Sequence, residues 1–330
     1  MPSTLPTRQS GIDNAKFILI VLVCLGHFSR VIVVTEDSPA MRSLFLFIYA
    51  FHMPLFFFLS GLFARRDRIN WRKVGALAAL GYLLKLVIFA VRLLMGQSAV
   101  FDPFSDTGTP WYLFSYASIL ALNYLLRRVD LRALLGLSLL AALLAGCFDW
   151  IGNFLYLSRT LVFFPFFLAG ELVGRNRLMD LLHRPLVRGL SGAVLAAWAA
   201  VCAALPGLWP WVRVFTARFP YSQMALPLPG LLGRLLWYPL AALLGLALLS
   251  LAPNRPLPVV TALGGRTMQI YFWHRPALYV LEYAGAASAL WGAGLAGRAA
   301  WLALGVGFAF FFGLRPFAFP TKPVLDLARR

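Results

Sequence analysis

The chain has 330 residues, of which 61% are hydrophobic and only 13% are charged, and its net charge is +18. Soluble proteins have about a quarter of their residues charged, so this composition argues against a water-soluble globule. The basic residues stand in short connections between apolar runs, and no nucleic-acid-reading motif accompanies them. The sequence therefore predicts an all-α, polytopic membrane protein whose positive charge sets its orientation in the membrane.

The predicted membrane spans follow from the apolar runs. A helix needs about 20 predominantly apolar residues to cross a bilayer, and charged or Pro/Gly-rich interruptions divide the sequence into about ten such runs. We place the spans near 17–34, 44–64, 74–95, 111–126, 133–148, 156–174, 189–208, 235–252, 267–284 and 296–314. The whole chain, 1–330, is predicted to be a single integral membrane domain.

Basic residues concentrate on one side of these spans. With a cytoplasmic N-terminus, the inner segments hold Arg8, Lys16 and the basic residues of 65–73, 127–132, 175–188, 255–266 and 315–330. The outer segments hold fewer basic residues and the acidic residues Glu36, Asp37, Asp102 and Asp106. Because Lys and Arg concentrate in cytoplasmic loops, both termini are predicted to be cytoplasmic. Two outer connections, 96–110 and 210–234, are longer than a turn needs.

The first span carries a histidine in an otherwise apolar run. Lys16 and His27 are eleven residues apart, which is three helical turns plus about 20°, so both lie on one face about 16 Å apart along the axis. Asp13 and Cys24 lie near the same stripe. His27 then falls near the middle of the bilayer, where ionisable groups are functional hypotheses by default. These residues alone explain His27 equally well as a structural hydrogen-bonding group between helices.

Two further histidines, His52 and His274, lie inside predicted spans, whereas His183 falls in a basic inner loop. His52 precedes Pro54 in the run FHMPLFFFLSG (51–61). Proline removes a backbone donor and distorts the helix, and neighbouring groups must then satisfy the freed carbonyl. Cys24, one turn before His27, fits inert packing better than a nucleophile, and the three cysteines, each in an apolar run, imply no disulfide framework.

Five motifs along the chain carry a family resemblance. They are D-x-x-K-x(10)-H from Asp13 to His27, FHMPLFFFLSG at 51–61, PWYL at 110–113, RTLVFFPFFLAG at 159–170 and LGGRTMQIYFWH at 263–274. In this order they resemble the membrane-bound acyltransferase 3 family, in the branch related to fucose 4-O-acetylases. The family's first-helix signature often has arginine where this chain has Lys16, and lysine lacks the bidentate fork of arginine.

The resemblance implies a ten-helix acyltransferase in the bacterial inner membrane. Such an enzyme moves an acyl group, usually acetyl from cytoplasmic acetyl-CoA, to a hydroxyl of a cell-surface or lipid-linked glycan. The expected partners are therefore acyl-CoA, the glycan acceptor and membrane lipids, with no nucleic acid and no metal. A succinyl or longer acyl donor stays open, as does a polytopic transporter or flippase for a glycan or lipid-linked sugar. The absence of internal repeats disfavours transport. A non-catalytic scaffold is a third alternative.

The resemblance also assigns roles to residues. His27 is the expected general base or acyl carrier, with His52 as a second catalytic group. Lys16, oriented by Asp13, is expected to bind CoA phosphates with Arg65, Arg66 and Arg68, although this cluster equally fits positive-inside charge. The residues expected at the acceptor or along the channel are Arg159, Trp111, Tyr112, Ser60, Tyr271 and His274. Trp111 and Tyr112 also fit the ordinary aromatic belt of a membrane protein.

Overall fold

The computed structural model describes residues 10–105 and 108–328. Arg8, Asp106, Arg329 and Arg330, which contribute to the predicted orientation, lie outside these ranges. Within them the chain is helical and contains no β-strand. The α-helices are α1 Ser10–Thr35, α2 Pro39–Tyr49, α3 His52–Gly61, α4 Trp71–Leu94, α5 Trp111–Leu125, α6 Leu131–Leu144, α7 Leu157–Leu172, α8 Arg175–Leu182, α9 Pro185–Ala204, α10 Val212–Phe215, α11 Gly230–Leu251, α12 Pro258–Gly264, α13 Thr267–Tyr283, α14 Ala286–Gly292, α15 Gly294–Phe312 and α16 Thr321–Leu327.

Each of the ten predicted spans coincides with one or two of these helices. Seven helical segments of the described chain are long and apolar enough to cross a membrane: Ser10–Thr35, Pro39–Gly61, Trp71–Leu94, Phe154–Leu172, Pro185–Ala204, Gly230–Leu251 and Gly294–Phe312. At the other three places, α5, α6 and α13 are shorter. The prediction of a helical, polytopic membrane protein is thus confirmed, while the number of ten spans and the cytoplasmic termini stay predictions.

The two ends of the bundle differ in their connections. We call the end at which α1 begins the basic end, because it holds Lys16 and the basic segment 65–73. We call the opposite end, where α1 finishes, the loop end. It holds 95–105, 108–110 and 205–229, which are parts of two connections anchored by side chains of the bundle. Lys85 Nζ donates to the carbonyl of Asp102 at 2.6 Å, and Ser158 Oγ donates to the carbonyl of Ala217 at 2.7 Å.

The second predicted connection at the loop end, 210–234, is more ordered than a plain loop. It contains α10, the end of a 3₁₀ turn at Pro206–Trp211, a second 3₁₀ turn at Tyr221–Gln223, and the first turn of α11. Buried Arg234 ties it to the bundle by donating to the carbonyls of Ala142 at 2.9 Å and Phe219 at 3.2 Å. This segment can therefore present its side chains at fixed positions.

The second predicted span is broken into α2 and α3. The break falls at Ala50 and Phe51. Ala50 is four residues before Pro54, and proline has no N–H to donate to the carbonyl of the residue four positions earlier. The indole Nε1 of fully buried Trp237 donates to that freed carbonyl of Ala50 at 2.7 Å. The expected neighbouring donor is thus present, and the break places His52 at the first position of α3.

Glycines set the distance between α3 and α7. A Cβ atom added to Gly61 would lie 1.9 Å from the carbonyl oxygen of Phe167, and one added to Gly170 would lie 2.1 Å from that of Phe58. Both values are far below the 3.4 Å at which ordinary contacts begin, so the two helices pack backbone against backbone. This contact fixes α3, which carries His52 and Ser60, relative to α7, which carries Arg159.

Helix α1 occupies the interior of the bundle and packs against α2, α12, α13 and α15. Near its beginning, Asn14 Nδ2 donates to the carbonyls of Pro253 at 2.7 Å and Arg255 at 2.9 Å. Near its end, Trp301 Nε1 donates to the carbonyl of Phe28 at 3.1 Å. Both halves of the helix are thereby held in register with their neighbours, and so is the stripe that contains Lys16 and His27.

Candidate active site

Two cavities lie one after the other along one face of α1. The basic-end cavity has a volume of 330 Å³ and is lined by Lys16, Ser60, Lys73, Tyr116, Thr267 and Leu325 among others. The loop-end cavity has a volume of 260 Å³, and its lining includes His27, His52, Trp111, Thr109 and Arg159. Lys16 and His27 thus reach different cavities from the same helical stripe, in the order that their spacing predicts.

A constriction of four side chains separates the cavities. Val23, Met53, Tyr112 and Tyr271 line both of them. The rings of Tyr112 and Tyr271 are 5.4 Å apart between centroids, and the Tyr271 hydroxyl donates to the carbonyl of Thr109. Met53 is an unbranched side chain with several rotatable bonds, so the constriction combines two positioned rings with one adaptable group.

His27 lines the loop-end cavity, one helical turn after the constriction residue Val23. Its ring is 5.2 Å from the ring of His274, between centroids. His274 is fully buried, and its Nδ1 contacts the carbonyls of Ile270 at 3.1 Å and Tyr271 at 2.8 Å. A carbonyl can only accept, so in neutral His274 the proton is on Nδ1 and Nε2 is an acceptor. That buried Nε2 has no hydrogen-bond partner.

His52 is oriented in the same manner as His274. Its Nδ1 contacts the carbonyl of Ile48 at 2.8 Å across the break between α2 and α3, which leaves Nε2 as the acceptor of the neutral ring. The ring of Tyr49 lies edge-on to it at 4.7 Å between centroids. Both residues line the loop-end cavity, so His27, His52 and His274 converge on one region of the protein although they come from three helices.

The predicted acceptor residues also gather at the loop-end cavity. The Arg159 guanidinium lies over the Trp111 ring at 4.7 Å and donates through Nε to the carbonyl of Thr216 at 3.3 Å. Trp111 stacks in turn on Phe163 at 5.4 Å. Arg159 and Trp111 line this cavity, whereas Tyr112 and Tyr271 line both cavities and Ser60 lines the basic-end cavity. The Ser60 hydroxyl donates to the carbonyl of Phe56 at 2.9 Å.

Lys16 is paired as the sequence predicts. Its Nζ lies 3.7 Å from Oδ1 of Asp13, one turn earlier, and 5.1 Å from the centroid of the Phe63 ring. Asp13 is fixed by a close backbone approach, since a Cβ atom on Gly264 would lie 1.9 Å from the Asp13 carbonyl oxygen. Lys73, which the sequence places only within a basic run, also lines the basic-end cavity and donates to the Tyr116 hydroxyl at 3.4 Å.

The predicted phosphate cluster divides into two sets. Arg65 and Arg68 line a third cavity of 420 Å³ at the basic end, which shares Ser60, Lys73 and Tyr116 with the basic-end cavity. Arg66 lines none of these three cavities. Its Nη2 donates to the carbonyl of Leu126 after the end of α5, at 2.7 Å, so the structure gives it a contact that supports the fold.

Sequence reasoning missed three arginines that line the loop-end cavity: Arg30, Arg218 and Arg275. Two of them have local signals, because Arg30 lies three residues after His27 and Arg275 directly follows His274. Arg218 comes from the connection between α10 and α11, and no local pattern predicts where that segment folds. His183 lies outside the cavities and contacts the carbonyls of Met179 and Ala252.

None of the three cysteines lines the loop-end, basic-end or third cavity. Cys24 and Cys202 are buried, Cys147 is exposed, and all three are free. Cys24 packs in an apolar cluster with side chains such as Phe17 and Leu80, as expected for an inert packing residue. The histidines and the basic residues are thus the candidate functional groups along the two cavities.

Comparison with known proteins agrees with the motifs. The family model described as an acyltransferase domain matches residues 9–314. The nodulation protein NolL of Sinorhizobium fredii (strain NBRC 101917 / NGR234) is 24% identical over 213 residues, which cover 59% of this chain and 56% of that protein. The chain thus spans just over half the length of this curated relative. No solved structure matches the chain. Since the family match covers nearly the whole chain and includes all five motifs, the chain belongs to the membrane-bound acyltransferase 3 family.

Proposed function

We propose that this membrane acyltransferase moves an acetyl group from acetyl-CoA, bound at the basic end, to a sugar hydroxyl bound in the loop-end cavity, with His27 as the general base. The basic end faces the cytoplasm of a bacterium in this proposal, and the acceptor is a cell-surface or lipid-linked glycan. The observation that carries the proposal is the pair of cavities that meet at one constriction beside His27.

The basic end suits the charged part of coenzyme A. Lys16 and Lys73 line the basic-end cavity, and Arg65 and Arg68 line the cavity that adjoins it. Ammonium and guanidinium groups form strong, charge-assisted hydrogen bonds with phosphate oxygens. Phosphates cannot enter the hydrocarbon of a bilayer without a large desolvation cost, so they stay at this end while the uncharged pantetheine arm continues inward.

The constriction suits that thin arm. When the phosphates bind near Lys16, the pantetheine arm must extend about 16 Å along α1 for the thioester to reach His27. On this path it passes Met53, Tyr112 and Tyr271, which line both cavities. An arm that fills the constriction also excludes water from the thioester, and water would otherwise compete with the sugar hydroxyl as the nucleophile.

The histidine pair suits proton transfer. His274 Nε2 is a buried acceptor without a partner, and the His27 ring lies beside it. When His27 donates its N–H to His274, its other nitrogen is an acceptor and can serve as a base, because a third group fixes the tautomer of the base in the same way in catalytic triads. We therefore assign His274 as a positioning residue for His27.

In the proposed step, the acetyl group moves from sulfur to the acceptor oxygen, and a proton moves from that oxygen to sulfur through His27. The acceptor hydroxyl gives its proton to His27 while its oxygen forms a bond to the thioester carbonyl carbon. The carbon–sulfur bond then breaks, and the leaving thiolate takes the proton from His27, so that the products are the O-acetyl sugar and coenzyme A. If His27 instead carried the acetyl group covalently, coenzyme A would be released in one burst before any acceptor is added.

The experiment that tests the proposal compares O-acetylation of surface glycans in cells that produce His27→Ala or His183→Ala protein. We expect His27→Ala to abolish O-acetylation, because general-base catalysis contributes a factor of about 10²–10⁴. His183→Ala is the matched control, since His183 lies outside the cavities. Normal O-acetylation with His27→Ala protein, at equal amounts in the membrane, would overturn the assignment. Glycan transport without acetyl-CoA would support a transporter instead.

A further inference from the structure

Four arginines line the loop-end cavity together with His27: Arg30, Arg159, Arg218 and Arg275. No carboxylate is among the lining residues in the part of the chain that the structure describes. In the proposed orientation this cavity opens away from the cytoplasm, where the positive-inside rule gives no reason for arginine. Four cations around 260 Å³ repel each other, so the arrangement calls for a functional explanation.

Aromatic rings hold three of these four guanidinium groups at the cavity. Arg159 lies over Trp111 at 4.7 Å, Arg218 over Phe219 at 4.4 Å and Arg275 over Tyr279 at 3.9 Å. A ring face attracts a cation without using its N–H donors. The charges of Arg218 and Arg275 are therefore positioned by their rings without the use of N–H donors.

Two of these guanidinium groups have buried donors without protein partners. The Nε of Arg218 and the Nη1 of Arg275 are buried and make no hydrogen bond. Burial lowers the pKa of the Arg218 guanidinium, and the positive charge of Arg30 lowers this pKa further. Arg275 has one ion pair, 3.5 Å from Nη2 to Oε2 of Glu282. Buried donors of a charged group cost free energy when they have no acceptor.

Other arginines at the loop end are used differently. Arg42 pairs with Asp37, and the two amino groups of Arg234 donate to the carbonyls of Ala142 and Phe219. The Nε atoms of Arg42 and Arg234 are also buried without a partner, so the difference lies in their amino groups, which contact protein oxygens. Within the described ranges, Glu282 is the one carboxylate in an ion pair with Arg30, Arg218 or Arg275, so an anionic group from outside the protein would complete the contacts of these arginines.

We propose that the acceptor carries a carboxylate or phosphate group, which these four arginines bind while the acceptor hydroxyl lies beside His27. This inference rests on the acyl transfer proposed above. Guanidinium groups recognise both oxyanions through paired N–H donors. The cavity lies just below the range of about 300–1,000 Å³ that is usual for small-molecule sites, so it fits one acidic sugar unit rather than a long oligosaccharide.

Binding in the absence of turnover tests this inference. Purified protein saturated with coenzyme A, which occupies the basic end, is titrated with methyl glucuronide, glucose 1-phosphate and uncharged methyl glucoside. We expect at least one of the two anions to bind at least ten times more tightly than methyl glucoside. The anion that binds more tightly identifies the source of the oxyanion as a uronate or a sugar phosphate.

Arginine variants locate the binding. We expect Arg218→Gln and Arg275→Gln each to weaken anion binding at least tenfold, and Arg218→Lys to weaken it less, because lysine keeps the charge without the fork. Arg298→Gln is the matched control, since Arg298 is exposed and lies outside the loop-end cavity. Equal affinities for all three sugars, or anion binding that survives both glutamine variants, would overturn the inference.

Two further comparisons separate this inference from its alternatives. His27→Ala protein should keep its anion binding while it loses acyl transfer. If acyl transfer depends on His27 but anions do not bind, the inference fails and the proposed function stands. If anions bind but acyl transfer is unaffected by His27→Ala, the proposed function fails. A tenfold preference for succinyl-CoA over acetyl-CoA that disappears in Arg218→Gln would place the oxyanion on the acyl group and overturn the acceptor assignment.

Discussion

The contact between α3 and α7 gives the sharpest quantitative prediction. In Gly61→Ala, the new Cβ atom would lie 1.9 Å from the Phe167 carbonyl oxygen, whereas ordinary contacts begin at 3.4 Å. The helices must therefore separate locally by about 1.5 Å. Overpacking of this kind costs about 1–3 kcal/mol, partly offset by up to about 1 kcal/mol from the better helix propensity of alanine.

The separation should affect catalysis more than stability. It moves Ser60, on α3, relative to Arg159, on α7, and a misplacement of about 1 Å in an active site can reduce the rate about 100-fold. We expect Gly61→Ala protein to transfer acetyl groups about 100 times more slowly than the wild type while it remains folded. The assay is the initial rate of label transfer from radioactive acetyl-CoA to glycan, with thermal unfolding in detergent as the measure of stability.

A matched substitution separates this effect from a general effect of alanine. Gly136 lies inside α6 with no heavy atom within 4 Å of an added Cβ atom, so Gly136→Ala should keep the wild-type rate and lose no stability. Gly170→Ala, the reciprocal contact at 2.1 Å, should behave like Gly61→Ala. A wild-type rate and wild-type stability in Gly61→Ala would refute the close packing of α3 on α7.

Three other substitutions test separate parts of the structure. Trp237→Phe removes the donor to the Ala50 carbonyl, so the free energy of unfolding should fall by about 1–3 kcal/mol. Unchanged thermal stability would contradict this expectation. Lys16→Gln should raise the KM for acetyl-CoA about tenfold or more with little change in kcat, because it removes the proposed charged ligand of the phosphates, and Lys16→Arg should restore most of the affinity. Met53→Trp fills the constriction, so it should slow acetyl transfer strongly in protein that stays folded; normal transfer would show that the donor takes another path.

The sequence predicted most of the helices because hydropathy and proline chemistry are local. Apolar runs indicated where helices lie, and the spacing of Lys16 and His27 placed them on one stripe. The break before Pro54 occurs at Ala50, as expected from the missing donor of proline, but the partner Trp237 comes from α11, 187 residues away. No local pattern identifies such a partner.

The site was predicted in part for the same reason. Family motifs located the histidines, Arg159 and the aromatic residues, all of which line the cavities or adjoin them. Arg218 was missed because its position depends on how the connection after α10 folds back over the bundle. Arg66 was grouped with Arg65 and Arg68 by sequence alone, whereas its side chain turns to the end of α5. Side-chain direction in a loop depends on tertiary contacts, which a charge run does not encode.

In the proposed reaction, donor and acceptor reach His27 from opposite ends of the protein. Its most direct test uses sealed membrane vesicles from cells that make the glycan, with radioactive acetyl-CoA added only to the external solution. If the basic end is cytoplasmic as proposed, inside-out vesicles expose it, so we expect them to label the enclosed glycan and right-side-out vesicles to remain unlabelled. His27→Ala vesicles should stay unlabelled in both orientations. Labelling that requires acetyl-CoA on the same side as the loop end would contradict the account.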